Sequence, residues 1–231
     1  MYVEDGDYDL VKEFEEYYGE NFFASYSEDS PKGIMLGNDV HVIFSSKANV
    51  TFNYTGDNNV VKSKFSPFNS SFKGGFTLEN LHIKARNCRY VVHDEMSGTT
   101  TSYANKYLNC NMYIDNSENT AWDSKQCIGG GLGYAGYILI DGCVLDSETE
   151  YEMAFVSYRT DSSSPVSKSS VNIRNIFIKR KGTIGVLWTG TTTNMTPFVI
   201  SNNSLGSAIR HRSSGGNIDN TELIEWNNSI R

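Results

Sequence analysis

The chain has 231 residues and a formal net charge of −7, one domain by size and acidic overall. No basic stripe is present, which excludes the electrostatic footprint of a nucleic-acid binder, and no apolar run approaches the roughly 18 residues that span a membrane. The 14 Tyr and 12 Phe, set among abundant Asn, Ser, Thr and Gly, favour strands and turns over helices.

Residues 1–7 lack the basic-then-apolar order of a signal peptide. They read as a strand inside a domain, so the chain is expected to be part of a longer protein. The one clear helix signal follows. Leu10, Val11, Phe14, Tyr17 and Tyr18 fall on one apolar face. With Asp7 to cap the start and Gly19 to end it, the pattern predicts a helix over 7–19. Residues 1–33 are expected to form a cap that covers the apolar end of the body, 34–231. Residues 22–32 read as a loop closed by Pro31. Strands are predicted at 34–36, 40–44 and 50–54, and a loop at 57–75.

From Phe76 onward a ten-residue pattern returns five times, each copy two short alternating strands about a small polar pivot. The pivots are Asn80, Asn109, Gly142, Asn175 and Asn202, at steps of 29, 33, 33 and 27 residues. Asn and Gly tolerate the left-handed backbone that a sharp bend needs. Aligned on the pivot, Leu78, Tyr107, Ile140, Ile173 and Ile200 form one column. Leu81, Cys110, Cys143, Ile176 and Asn203 form the next, and Ile83, Met112, Leu145, Ile178 and Leu205 a third. Period two on both sides of a kink, repeated at this spacing, is the mark of a solenoid of strands. A further strand follows each copy, at 89–94, 126–130, 153–158, 183–188 and 207–211, and 222–226 begins one more round. The expected fold is all-β, with about seven coils.

Four cysteines, Cys88, Cys110, Cys127 and Cys143, show no zinc spacing. Cys110 and Cys143 share a column on successive coils, and small apolar core residues are expected over a disulfide. The stretch 128–133, Ile-Gly-Gly-Gly-Leu-Gly, lacks the Lys-Ser/Thr of a phosphate loop. Its glycines are expected to open a shallow groove beside His93.

Asn at the strand-to-strand pivots, the early amphipathic helix, the 40–45 strand, the Asn87-Cys-Arg-Tyr-Val-Val-His-Asp94 segment and the glycine strand resemble the right-handed, single-stranded parallel β-helix of the pectin-lyase-like superfamily. More narrowly, their order resembles β-helix domains of phage tail spikes, tail appendages and related gut-bacterial proteins. The resemblance implies a polysaccharide-binding domain on a virion or bacterial surface, and a homotrimer. It also implies two rivals, a depolymerase (glycoside hydrolase or lyase) and a structural spacer rod, because this fold hosts many functions.

Candidate residues follow from placing chemistry on the outside of a packed coil. His93, Tyr158, Trp188 and His211 stand near equivalent places in the strand after each copy. Either they stack into a ladder of flat rings that receives sugars, or some of them turn inward and fill the core. Arg210 and Arg212 flank His211 in the only tight basic cluster, a local cationic groove that would override the acidic average for an anionic ligand. For hydrolysis, Asp94 or Glu95 with Asp115 or Asp123 are the candidate acid and base, since a glycosidase needs two carboxyl groups flanking the sugar. The oxygen-rich 115–119 segment lacks dedicated calcium spacing, so no metal or cofactor is expected and lyase chemistry is disfavoured.

Overall fold

Alternation of apolar and polar side chains drives the chain into short strands, which hydrogen-bond side by side in parallel. The computed structural model describes residues 1–71, 74–95, 103–115, 126–132, 136–147, 153–160, 170–179, 182–188, 198–213 and 223–231. The first pass is β1 (Tyr2–Val3), β2 (Gly6–Asp9), helix α1 (Leu10–Tyr18) and β3 (Ile34–Leu36). The second is β4 (Val40–Phe44), β5 (Ala48–Asn53), helix α2 (Asn59–Lys64) and β6 (Phe68–Ser70). Then come β7 (Phe76–Glu79), β8 (His82–Arg86) and β9 (Tyr90–His93), followed by β10 (Ala104–Leu108), β11 (Asn111–Asp115) and β12 (Gln126–Leu132). The pattern continues with β13 (Tyr137–Asp141), β14 (Val144–Asp146) and β15 (Met153–Thr160), then β16 (Ser170–Arg174), β17 (Phe177–Ile178) and β18 (Gly182–Trp188). The last strands are β19 (Phe198–Ser201), β20 (Ser204–Leu205), β21 (Arg210–Ser213), β22 (Leu223–Trp226) and β23 (Ser229–Ile230).

Every third strand joins the same sheet. The first sheet runs β1-β4-β7-β10-β13-β16-β19-β22, the second β2-β5-β8-β11-β14-β17-β20-β23, and the third β3-β6-β9-β12-β15-β18-β21. The fold is therefore all-β, built of three parallel sheets that the chain visits in turn.

The pivots set the register. Asn80, Asn109, Asn175 and Asn202 have φ of +54° to +59°, Gly142 has +68°, and Asn227 adds a sixth at +54°. Each pivot N–H donates to the carbonyl just ahead of the next pivot, for example Asn80 to Leu108 and Asn109 to Asp141, both at 2.9 Å. Leu78 pairs with Tyr107, Tyr107 with Ile140, Ile140 with Ile173 and Ile173 with Ile200, and all five are sealed from solvent. The columns after the pivot are buried as well, Asn203 included. Asn203 is tolerated there because its Nδ2 donates to the Ile173 carbonyl and its Oδ1 accepts from the Ile176 N–H, which satisfies a buried amide.

The strand expected ahead of the helix is present, while the start of the helix differs from its expectation. Residues ahead of the helix already belong to the sheets, with Tyr2 paired to Ile43 and Asp7 to Asn49. The N-cap of α1 is Asp9, whose Oδ1 accepts from Val11 N at 3.1 Å and Lys12 N at 3.4 Å. Gly19 ends the helix at φ +110°. Phe14 packs edge-on to Phe65 at 5.4 Å and Phe65 stacks on Phe52 at 5.1 Å, so aromatic burial fixes α1 to the sheets. Residues 57–75, expected as loop, hold α2 and β6. Asn58 caps α2 by accepting from Val60 N and also donates to the Phe23 and Tyr26 carbonyls.

Candidate functional site

Strand alternation decides which of the candidate residues face solvent. His93 ends β9, half-buried, with its Nε2 3.6 Å from Glu95 Oε2 and its ring 5.5 Å from that of Tyr90. Asp94 is 0% exposed. The alternation that puts Val92 in the core carries Asp94 inward too. There its Oδ1 accepts from Asn105 Nδ2 at 2.6 Å and its Oδ2 from the Tyr107 hydroxyl at 2.8 Å. The expectation of Asp94 as a solvent-facing acid or base is thus corrected: it is an interior carboxylate, held by charge-assisted hydrogen bonds.

Glu95 turns its carbonyl to the Ser70 hydroxyl at 2.9 Å. A Cβ on Gly130 would overlap the Asp94 carbonyl, and one on Gly131 would overlap the Glu95 carboxylate. The glycine run therefore admits the Asp94–Glu95 step of the preceding pass, and the expected groove is filled by it. Asp115 ends β11 with its Oδ2 3.3 Å from Arg86 Nε, an ion pair on the outer side. Asp123 lies outside the described residues.

The four expected rings do not form one column. His93 aligns with Gly129, Ser157, Gly185 and Arg210. Tyr158 aligns with Gly130, Val186 and His211, and Trp188 with Thr160 and Ser213. Tyr158 and His211 share strand parity with the buried Val156 and Ile184, whereas His93 has the opposite parity. Tyr158 stands one residue beyond Ser157, the in-register partner of the His93 column, and neighbouring positions of a strand face opposite sides. The side chains of Tyr158, Trp188, Arg210, His211 and Arg212 lie outside the described residues.

A surface that the candidate residues missed lies on the second sheet. Four places after successive pivots stand Lys84, Tyr113, Asp146 and Lys179, and two places after stand His82 and Asn111. Lys84 pairs in register with Tyr113, and Tyr113 with Asp146, while Lys179 N–H donates to the Leu145 carbonyl at 2.9 Å. With Asn49 and Thr51 of β5 they line an open cavity of about 400 Å³. It crosses five successive passes, about 19 Å at the usual strand spacing. Tyr113 is half-buried at its centre. Lys179 Nζ lies 3.5 Å from Asp146 Oδ2, and Lys84 is exposed with no ion pair among the described residues. The pivot alignment that exposes the core columns carries this surface as well, in the polar positions between them.

All four cysteines are free and buried, and burial pushes the thiols of Cys88, Cys110 and Cys127 well up from their ordinary range. Among the described residues no three His, Cys, Asp or Glu side chains are grouped to hold a metal, and no helix is long and apolar enough to cross a membrane. No protein-family model, curated protein or solved structure matches the chain.

Proposed function

We propose that the chain is a right-handed, single-stranded parallel β-helix that binds an extended surface polysaccharide, as a domain of a phage tail spike or adhesin-like protein. Sheet order and the positive-φ pivots support the coil, and the strong right-handed preference of parallel crossovers supports its hand. The observation that carries the binding reading is the second-sheet cavity. It sets amide, hydroxyl, ammonium, imidazole and carboxylate groups at strand spacing around a half-buried tyrosine. A polymer of hydroxyl-rich rings laid across the strands meets hydrogen-bonding groups pass after pass, and its C–H faces pack on the ring.

Binding without cleavage is preferred because Asp94, the first candidate for acid or base, is sealed inside and hydrogen-bonded. The test is a panel of bacterial capsular and cell-wall polysaccharides, followed for retention of the protein and for polymer length over time. Retention at constant length supports the reading. Shortened chains establish a depolymerase instead. A panel that neither retains the protein nor is shortened leaves the spacer-rod reading in its place.

A further inference from the structure

Charge inside the second-sheet cavity narrows the class of ligand. Two ammonium groups, one carboxylate and one imidazole line it, on Lys84, Lys179, Asp146 and His82. Asp146 and Lys179 neutralise each other at 3.5 Å. Lys84 is exposed and has no ion pair among the described residues. The cation two places further along its strand, Arg86, is held by Asp115 at 3.3 Å. The cavity thus offers one uncompensated positive charge, in a chain whose net charge is −7. It attracts a single anionic group to one spot while the molecule as a whole repels polyanions.

Register fixes how far that attraction reaches. Lys84 stands in a column that runs Asp9, Thr51, Lys84, Tyr113 and Asp146. Each step is one strand spacing, so a carboxylate-bearing position lies two passes away on either side, about 10 Å. Both carboxylates are fixed in place, Asp9 by capping α1 and Asp146 by Lys179 and the Ser147 N–H. The places next to Lys84 are uncharged, a hydroxyl on Thr51 and the ring of Tyr113. On the same strand His82 aligns with Asn111, which supplies an amide.

On the reading that this cavity holds a polysaccharide, we infer that the polymer is an acidic heteropolysaccharide with widely spaced carboxylates. A uronate or another carboxylate-bearing sugar sits at Lys84, and a neutral sugar beside it packs on Tyr113. The sugar carboxylate accepts from Lys84 Nζ in a charge-assisted hydrogen bond. A homopolyuronate, with an acid on every sugar, would set further carboxylates towards Asp9 and Asp146, which opposes its binding. A neutral polymer leaves Lys84 unused.

The test immobilises three kinds of polymer and reads binding by biolayer interferometry. The first is a set of capsular polysaccharides with one uronate per repeat of two or more sugars. The second is the same set with each carboxylate reduced to a primary alcohol, and the third is polygalacturonate. Wild type is expected to bind at least one spaced acid, and its reduced form and polygalacturonate at least about tenfold more weakly, the effect of one charge-assisted hydrogen bond. Lys84→Gln, at an exposed position, is expected to bind the acid and its reduced form alike, with an unchanged unfolding midpoint. Asp146→Asn keeps the oxygen that accepts from Ser147 N–H, removes one negative charge and frees Lys179, so it is expected to tighten polygalacturonate binding severalfold. Equal binding of acid and reduced forms by wild type overturns this inference and leaves the polysaccharide reading standing. Polygalacturonate bound as tightly as the spaced acid overturns it too, as does a loss on reduction that Lys84→Gln fails to reproduce. Retention by no polymer in any form overturns the inference and the reading together.

Discussion

Tyr107 donates its hydroxyl proton to Asp94 across 2.8 Å inside the protein, from the column in which Leu78, Ile140, Ile173 and Ile200 are aliphatic. A carboxylate left in the core without such donors costs several kcal/mol. Tyr107, with Asn105 at 2.6 Å, therefore makes Asp94 a structural residue. Tyr107→Phe is expected to lower stability by about 1–3 kcal/mol, read as a shift of the urea midpoint. Asp94→Asn should likewise lower stability while leaving polysaccharide retention intact. A catalytic Asp94 would show the reverse, lost turnover at unchanged stability.

Gly130 and Gly142 are glycines for different reasons, and their alanine variants should differ in cost. At Gly142 the backbone sits at φ +68°, and the atom a Cβ would meet is the end of the Asn109 side chain, which can move aside. A loss of about 1–2 kcal/mol is expected from the left-handed conformation alone. At Gly130 the obstacle is the Asp94 main-chain carbonyl, which shifts only with its strand. Gly130→Ala should cost more than Gly142→Ala in chemical denaturation; equal costs would contradict the assignment.

Buried thiols whose ionisation is pushed up by burial remain protonated and unreactive. Native protein at pH 8 is expected to react with a thiol-specific disulfide reagent far more slowly than protein in urea, which should release four thiols. Rapid reaction of Cys110 or Cys127 in the native state would show that the core opens.

Burial, with Glu28 nearby, pushes Tyr26 up to about 12 from 10.0. Folding thus favours the protonated phenol. Its stabilising contribution is complete below pH 10 and is lost as pH rises towards 12, because the unfolded chain ionises first. The urea midpoint is expected to fall between pH 10 and 12, and to fall less steeply in Tyr26→Phe. The Tyr26 hydroxyl has no hydrogen-bond partner among the described residues, so this variant should not lose stability at pH 7.

The repeat was legible in the sequence because each pass uses the same local chemistry. Asn at a positive-φ bend and apolar residues two before and three after it read directly as columns, and those columns pair in register. Short elements fixed by distant contacts were not legible. Helix α2 has six residues, and its cap Asn58 is anchored to carbonyls more than 30 residues away. The ring column of the third sheet was not legible because its strands have no pivot to fix the register: Tyr158 lies one residue past the partner of His93, and Trp188 two past the partner of Tyr158. Asp94 looked like a loop acid because nothing local reveals that Asn105 and Tyr107 wait for it in the next strand. The Lys84, Tyr113, Asp146 and Lys179 surface was readable from the same pivots, as the outward half of the alternation.

The central claim is that the outer face of the second sheet, and not the ring set of the third, binds polysaccharide. The most direct measurement takes one polysaccharide that retains the protein and compares wild type with Tyr113→Ala and Trp188→Ala by affinity electrophoresis. The account predicts that Tyr113→Ala weakens binding by about tenfold or more, the loss of a central aromatic contact, while Trp188→Ala binds as wild type. Unchanged binding in Tyr113→Ala together with loss in Trp188→Ala would contradict it.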